Sequence, residues 1–445
     1  MASSFLDRER TVAGPGFSRW LVPPAALAIH LCIGQAYAFS VFNLPMSKLG
    51  PGDWKLTTLG WIFSIAIVFL GLSAAFGGKW LEKAGPRKAM LVSALCFAGG
   101  FLVAALGVWL HQISIVYLGY GVIGGIGLGL GYISPVSTLI KWFPDRPGMA
   151  TGMAIMGFGG GAMIGSPLAV NLMGGFAAST TQGVAETFVV MGLLYFCLML
   201  FGVFTVRVPP AGWKPEGWTP PATARVMVTT AQVHADEAIK TRPFWLLWAV
   251  LFLNVTAGIG VLGQASAMIQ ESFKSIDARA ASGFVGLLSL FNMGGRFFWS
   301  SLSDKLGRKA TYGIYFLLGA VLYALVPQTG QMQSVALFVA AYAVIMSMYG
   351  GGFATIPAYL RDIFGTMHVG AIHGRLLTAW SAAGVAGPAL INYLREYQVA
   401  HGVTGAQAYS LTLYLLAGLL VLGFICNFLM GPVDARHHYM RGTPT

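Results

Sequence analysis

The chain has 445 residues, of which 56% are hydrophobic and 9% charged. A soluble domain carries about 25% charged residues, so a soluble Rossmann or barrel enzyme is excluded and a membrane protein is implied. The net charge of +12 would suggest a nucleic-acid partner in a soluble protein, but in a bilayer it is first a matter of which side holds the basic residues.

Apolar runs of spanning length fall at 20–42, 58–78, 89–110, 114–140, 149–172 and 187–206, and again at 243–268, 281–301, 310–328, 333–358, 374–394 and 409–431. The first run is long enough to be retained as a helix rather than removed as a signal peptide. The longest polar stretch, 207–242, carries Pro209, Pro210, Pro215, Pro220 and Pro221 and divides the runs six and six. The expected organisation is therefore a bundle over 1–206, a cytoplasmic linker over 207–242 and a second bundle over 243–445. Cys32, Cys96, Cys197 and Cys426 sit singly in apolar runs and suggest neither a disulfide framework nor a zinc site.

Twenty-one of the 27 Lys and Arg residues fall on the side that holds both termini and five on the other, with Arg296 left inside a run. The positive-inside rule then places both termini in the cytoplasm. The segment GKWLEKAGPRK at 78–88 returns as SSLSDKLGRKA at 300–310, and the same offset carries Gly148 to Gly370, Gly152 to Gly374 and Gly165 to Gly387. Six spans return the chain to its starting side, so this reads as a six-helix unit duplicated in parallel orientation.

With these segments the sequence resembles the major facilitator superfamily over essentially its whole length. The family's loop signature matches Gly78, Glu82, Gly85, Arg87 and Lys88, and its second copy matches Asp304, Lys305, Gly307, Arg308 and Lys309. Within the superfamily the chain is similar to the oxalate:formate antiporter and monocarboxylate porter group. The matching residues are Gly34 to Tyr37, Trp142 to Asp145, Phe291 to Arg296 and Asp362 to Gly365. The resemblance implies an all-α polytopic membrane protein with twelve transmembrane helices in two pseudo-symmetric six-helix bundles, the major facilitator fold. It further implies a gate at the two signature loops, whose acid and bases can pair with one another and with helix ends.

All fifteen Asp and Glu residues lie in loops or at run ends, whereas Arg296 lies deep within one. A central arginine costs about 2.5–3.5 kcal/mol even on the lenient insertion scale. Without an acid to neutralise it, its natural partner is a substrate carboxylate, bound bidentately. Asn292 lies one turn before it on the same face. In relatives that carry the oxalate dianion the resemblance implies a second cation, a lysine, where this chain has Trp380. One fixed charge thus favours a monocarboxylate of the lactate, pyruvate or formate type, an inference that fails if His373 or Arg375 reaches the cavity. The resemblance also gives Tyr37, Tyr132, Tyr349 and Phe353 as cavity aromatics, although helix packing would explain them as well. It assigns proton coupling in animal relatives to an Asp at the position of Asn292, which leaves His30 as the titratable group deep in a helix.

The expected partners are thus a small carboxylate, with protons left open between symport and exchange, and the lipid bilayer. A multi-pass plasma or inner membrane location and a monomer are expected. The alternatives are an oxalate or dicarboxylate:formate antiporter and, further away, an exporter of amphiphiles. Gly258 to Gly263 fits GxGxxG but has no preceding strand. No P-loop, nucleophile elbow or metal pattern is present, so neither an enzyme nor a cofactor is expected.

Overall fold

The computed structural model describes residues 5–49, 54–219, 228–403 and 405–439. In chain order the long helices are α1 (Arg19–Met46), α2 (Leu56–Ala84), α3 (Pro86–Trp109), α4 (Ile113–Trp142), α5 (Pro147–Gly175) and α6 (Val184–Thr205). They continue with α7 (Arg242–Ser272), α8 (Ala278–Leu306), α9 (Arg308–Gln331), α10 (Val335–Phe364), α11 (Val369–Leu376 and Thr378–Ala400, broken at Leu377) and α12 (Ser410–Phe428). Among the described residues, ten helices are long and apolar enough to cross a membrane, and α8 and α11 fall short. Those two carry Asn292, Arg296, His373 and Ser381, all buried. Their polarity faces inward, which lowers the apolar average without exposing charge to lipid.

The packing repeats between the two halves of the chain. In the first, α3 lies on α6, α2 on α4, and α1 on α5 and α6; in the second, α9 lies on α12, α8 on α10, and α7 on α11 and α12. The repeat seen in sequence is thus a repeat of contacts. The halves meet where α5 packs on α8 and α2 on α11. Glycine permits that approach: a Cβ at Gly78 would press on the Ala371 backbone, and one at Gly374 on the Ala74 backbone.

The described residues nearest both termini and the described parts of the linker gather at the end of the molecule that bears the 2–3 and 8–9 loops, called here the basic end. Short bridges join Val12 to Val208 and Val233 to His438. In the loops themselves, Gly85 and Gly307 take φ of 88° and 86°. These left-handed values end one helix and start the next without a Cβ clash.

The signature residues pair both with one another and with helix ends, and several of the partners lie in the opposite half. Glu82 bonds Lys141 at 2.8 Å and accepts from the Gly370 amide at 3.2 Å, so it links the first half to the start of α11. Asp304 accepts from the Gly148 and Met149 amides at 2.8 and 2.9 Å, at the positive N-terminus of α5. It also pairs with Arg308 at 2.6 Å, and Arg308 pairs with Asp362 at 3.1 Å. Arg87, buried under the Phe5 ring, donates instead to the carbonyls of Phe5, Arg10 and Val206. Lys309 caps the Met430 carbonyl at 2.9 Å, and Lys305 points to solvent.

A short helical turn of the linker, Ala235–Ala238, adds a further tie. Its Asp236 bonds Lys79 of α2 at 2.6 Å and Arg375 of α11 at 2.5 Å. Those two cations hold the Asp236 carboxyl below the usual carboxylate range. A depressed carboxylate stabilises above its unfolded pKa and loses that contribution only as pH falls through the lower folded value, so this tie persists into mild acid.

Two local departures were not visible in the runs. Gly34–Phe42 of α1 is a 3₁₀ stretch, and Tyr117–Gly124 of α4 is a π stretch. The π stretch lies where α3 and α4 touch backbone to backbone: a Cβ at Gly100 would meet the Gly119 carbonyl at 2.7 Å.

Replacing Asp304 with Asn removes one charge from the Arg308 pair and weakens two charge-assisted bonds across the halves. At about 1.5–3 kcal/mol for such bonds, the expected outcome is at least tenfold faster labelling of a cysteine placed at Ser137, read at the basic end.

Candidate functional site

Six helices, three from each half, bring their polar and aromatic residues to one buried cluster. Arg296 stands at its centre and is fully buried. Its Nε donates to Asn292 Oδ1 at 3.0 Å, one turn back on α8, and its Nη1 to the Ile155 carbonyl at 3.4 Å. Nη2 has no partner. The guanidinium carbon lies 5.3 Å from the Phe353 ring centre and 5.6 Å from that of Phe158. Such contacts offset part of the cost of a buried cation, by about 0.5–2 kcal/mol each, but they leave the Nη2 donor unmet.

The other predicted residues surround it. Trp380 of α11 is fully buried, with its ring 4.5 Å from Phe353, 5.3 Å from Phe158, 5.2 Å from Tyr132 and 6.4 Å from Tyr37. Tyr349 and Phe353 meet edge to face on α10 at 5.3 Å. The Tyr37 hydroxyl lies 3.2 Å from that of Tyr349, which joins α1 to α10 across the halves. Tyr37 and its neighbour Phe63, whose ring lies 6.4 Å away, are only half-buried. Ser289, on the same face of α8, turns back to the Val285 carbonyl. Asn254 is packed against Gly352 with its Oδ1 unpartnered.

His30 packs edge to face on Tyr132 at 5.4 Å, and its Nδ1 bonds the Ala26 carbonyl at 3.1 Å. A carbonyl only accepts, so this nitrogen carries the proton. The ring of His373 also lies near Tyr132, at 5.8 Å. His373 thus stands beside Tyr132 at the edge of the cluster and packs on that ring, not on the Arg296 guanidinium. Arg375, by contrast, turns away to the Ala235 carbonyl and Asp236.

Phe158 was missed as a site residue. Its signal is a single aromatic between Gly157 and Gly159 in a glycine-rich helix. The flanking glycines let α1 and α8 close on either side: a Cβ at Gly157 would lie 3.0 Å from the His30 side chain, and one at Gly159 would lie 2.9 Å from Arg296 Nε.

Buried polar atoms without partners are rare in folded proteins, yet the cluster holds five: Arg296 Nη2, Tyr132 OH, Trp380 Nε1, His30 Nε2 and His373 Nε2. Three can donate to an anion, inside an aromatic box suited to a small apolar body. Among the described residues no group of His, Cys, Asp and Glu could hold a metal ion.

A family model described as Major Facilitator Superfamily matches residues 17–388. The chain is 28% identical to the oxalate:formate antiporter of Oxalobacter formigenes, over 84% of either protein. It is 24% identical to human monocarboxylate transporter 11, over 92% of this chain and 82% of that one. Among solved structures, the proton:xylose symporter XylE superposes with a TM-score of 0.66 at 17% identity, over 93% of this chain and 96% of that one. The chain belongs to the Major Facilitator Superfamily and is a membrane transporter rather than an enzyme.

Proposed function

We propose that the chain is a secondary carrier of small organic anions, foremost a monocarboxylate of the lactate, pyruvate or formate type, bound at Arg296 between two six-helix bundles. The observation that carries this reading is the unpartnered Nη2 of a fully buried arginine. A carboxylate there would accept from Nη2 with its charge opposed to the guanidinium. Trp380 Nε1 and the Tyr132 hydroxyl are further donors, while Phe158, Phe353 and Tyr349 would enclose the apolar part. The names of the antiporter and the monocarboxylate transporter lend the reading support.

In this proposal twelve helices span a plasma or inner membrane, the units 1–206 and 243–445 rock about the site, and 207–242 is the cytoplasmic linker. The basic end is the cytoplasmic side, and the ties through Glu82, Asp304 and Asp236 close it in the state described above. Partial exposure of Tyr37 and Phe63 then marks the approach from outside. An anion on Arg296 lowers the desolvation cost of an occluded site, so loaded carriers close and reopen more readily than empty ones.

A second reading, exchange of oxalate or another dicarboxylate, is favoured by one observation: His373 beside Tyr132 is a second group that can carry positive charge near the site. Counterflow in proteoliposomes separates the two. Labelled lactate is expected to exchange against lactate, pyruvate and formate, and preferential trapping by oxalate would favour the dicarboxylate. Insensitivity to every small acid would overturn both. Arg296→Lys keeps the charge but loses the planar fork, and at about 1.5–3 kcal/mol for charged hydrogen bonds lactate exchange should fall roughly 10- to 100-fold. Trp380→Phe removes one neutral donor, worth about 1 kcal/mol, and should raise the half-saturating lactate concentration roughly fivefold.

A further inference from the structure

Residues 229–240 of the linker are fastened to the second half before they reach the first. Thr229 donates to the Asp362 carbonyl at 2.8 Å and Val233 to that of Phe364 at 3.0 Å, while the Gln232 side chain accepts from the Met367 amide at 2.8 Å. These bonds tie the segment to the end of α10 and the loop after it. The C-terminal segment holds its other edge: Tyr439 donates to the Gln232 carbonyl at 2.7 Å, and Val233 forms an antiparallel bridge with His438. In a trans peptide the C=O and N–H point in opposite directions, so the unit between Gln232 and Val233 is gripped from both sides. His437 adds a hydrogen bond to the Glu237 carboxylate at 3.0 Å. The C-terminal segment is itself seated on the second half, with Val433 buried and the Met430 carbonyl capped by Lys309.

What this grip positions is Asp236. The turn Ala235–Ala238 begins with the His234 ring accepting from the Asp236 amide at 3.3 Å, and Arg375 donates to the Ala235 carbonyl. The Asp236 carboxylate then spans the halves, to Lys79 of α2 at 2.6 Å and to Arg375 of α11 at 2.5 Å. The Lys79 and Asp236 side chains are 46% and 45% exposed. An exposed ion pair contributes little on its own, because ordering two side chains in solvent offsets most of the attraction. Such a bond gains when one partner is held in place beforehand. Here the backbone of the linker holds the acid, and the C-terminal segment holds that backbone.

We propose that the C-terminal segment 434–439 is the keeper of the closed basic end: paired with the linker it fixes Asp236 across α2 and α11, and its release lets the halves part there. The inference rests on the reading that the halves rock about the site, and it holds for any substrate. The keeper's bonds described above go to the linker rather than to the Arg296 cluster. It therefore sets how readily the basic end opens and leaves recognition of the anion unchanged. Its bonds are few and directional, so it detaches without unpacking either bundle.

A cysteine at Ser137 reads the opening, because Ser137 is buried on α4 where a Cβ at Gly370 of α11 would lie 3.1 Å from its own Cβ. In the purified S137C carrier, maleimide labelling of that residue is followed by mass at constant pH. Deleting 434–445 should speed it roughly three- to tenfold, the worth of one or two hydrogen bonds. Y439P, which removes one amide donor, should act in the same direction by less. D236N should speed labelling as well, and on that background the deletion should add less than about twofold, since the two act through one tie. Unchanged labelling in both the deletion and Y439P overturns the proposal, as does a deletion whose effect is undiminished on D236N. If D304N speeds labelling and the deletion does not, only the keeper falls. If none of these variants speeds it, the rocking of the halves at this end falls with it.

Discussion

A guanidinium has been placed in the middle of a bundle without an acid to answer it, and the neighbourhood of Arg296 is organised around that fact. One donor goes to Asn292 and one to a backbone carbonyl, two aromatic faces lie over the charge, and the last donor is left unmet. A buried ion pair with Asp or Glu would have cancelled the charge permanently. In the proposed carrier, the uncancelled charge ties the stability of the closed site to the anion that enters it.

The second constraint is closeness. Arg296 can be shared between halves only if α5 and α8 approach nearly backbone to backbone, and Gly148, Gly152 and Gly159 allow this. The same economy appears where α2 meets α11. The ties at the basic end then use helix ends and single acids rather than a large apolar interface. Asp304 at the N-terminus of α5 and Glu82 at the start of α11 hold by a few directional bonds. Bonds of this kind break one at a time at modest cost, whereas a packed core does not.

Much of this was legible in sequence because the bilayer imposes simple rules. Runs of spanning length, the basic bias and the repeat at an offset of 222 follow from hydrophobic thickness and duplication. Arg296 was legible because a cation in an apolar run stands out. Phe158 was not, since an aromatic in a membrane helix carries no mark of whether it faces lipid, a neighbour or a cavity. Whether His373 comes near the site was left open by the sequence. Only the crossing of α11 against α4 brings it to Tyr132. The signature loops were expected to pair with one another and with helix ends; what the sequence did not say is that the ends met by Glu82 and Asp304 belong to the opposite half, where the first amides of a helix are unbonded.

The sequence by itself determined that this chain is a helical membrane protein with a duplicated unit and one unpaired internal cation, because composition, periodicity and charge placement are local properties that the bilayer selects residue by residue. Tertiary structure decided which residues that cation meets. The box of Phe158, Phe353, Trp380 and Tyr132, the tie of Tyr37 to Tyr349, and the packing of His30 and His373 on one ring depend on how six helices from two halves cross. Those crossings are fixed by glycine contacts between segments distant in the chain, a quantity no single stretch of sequence contains.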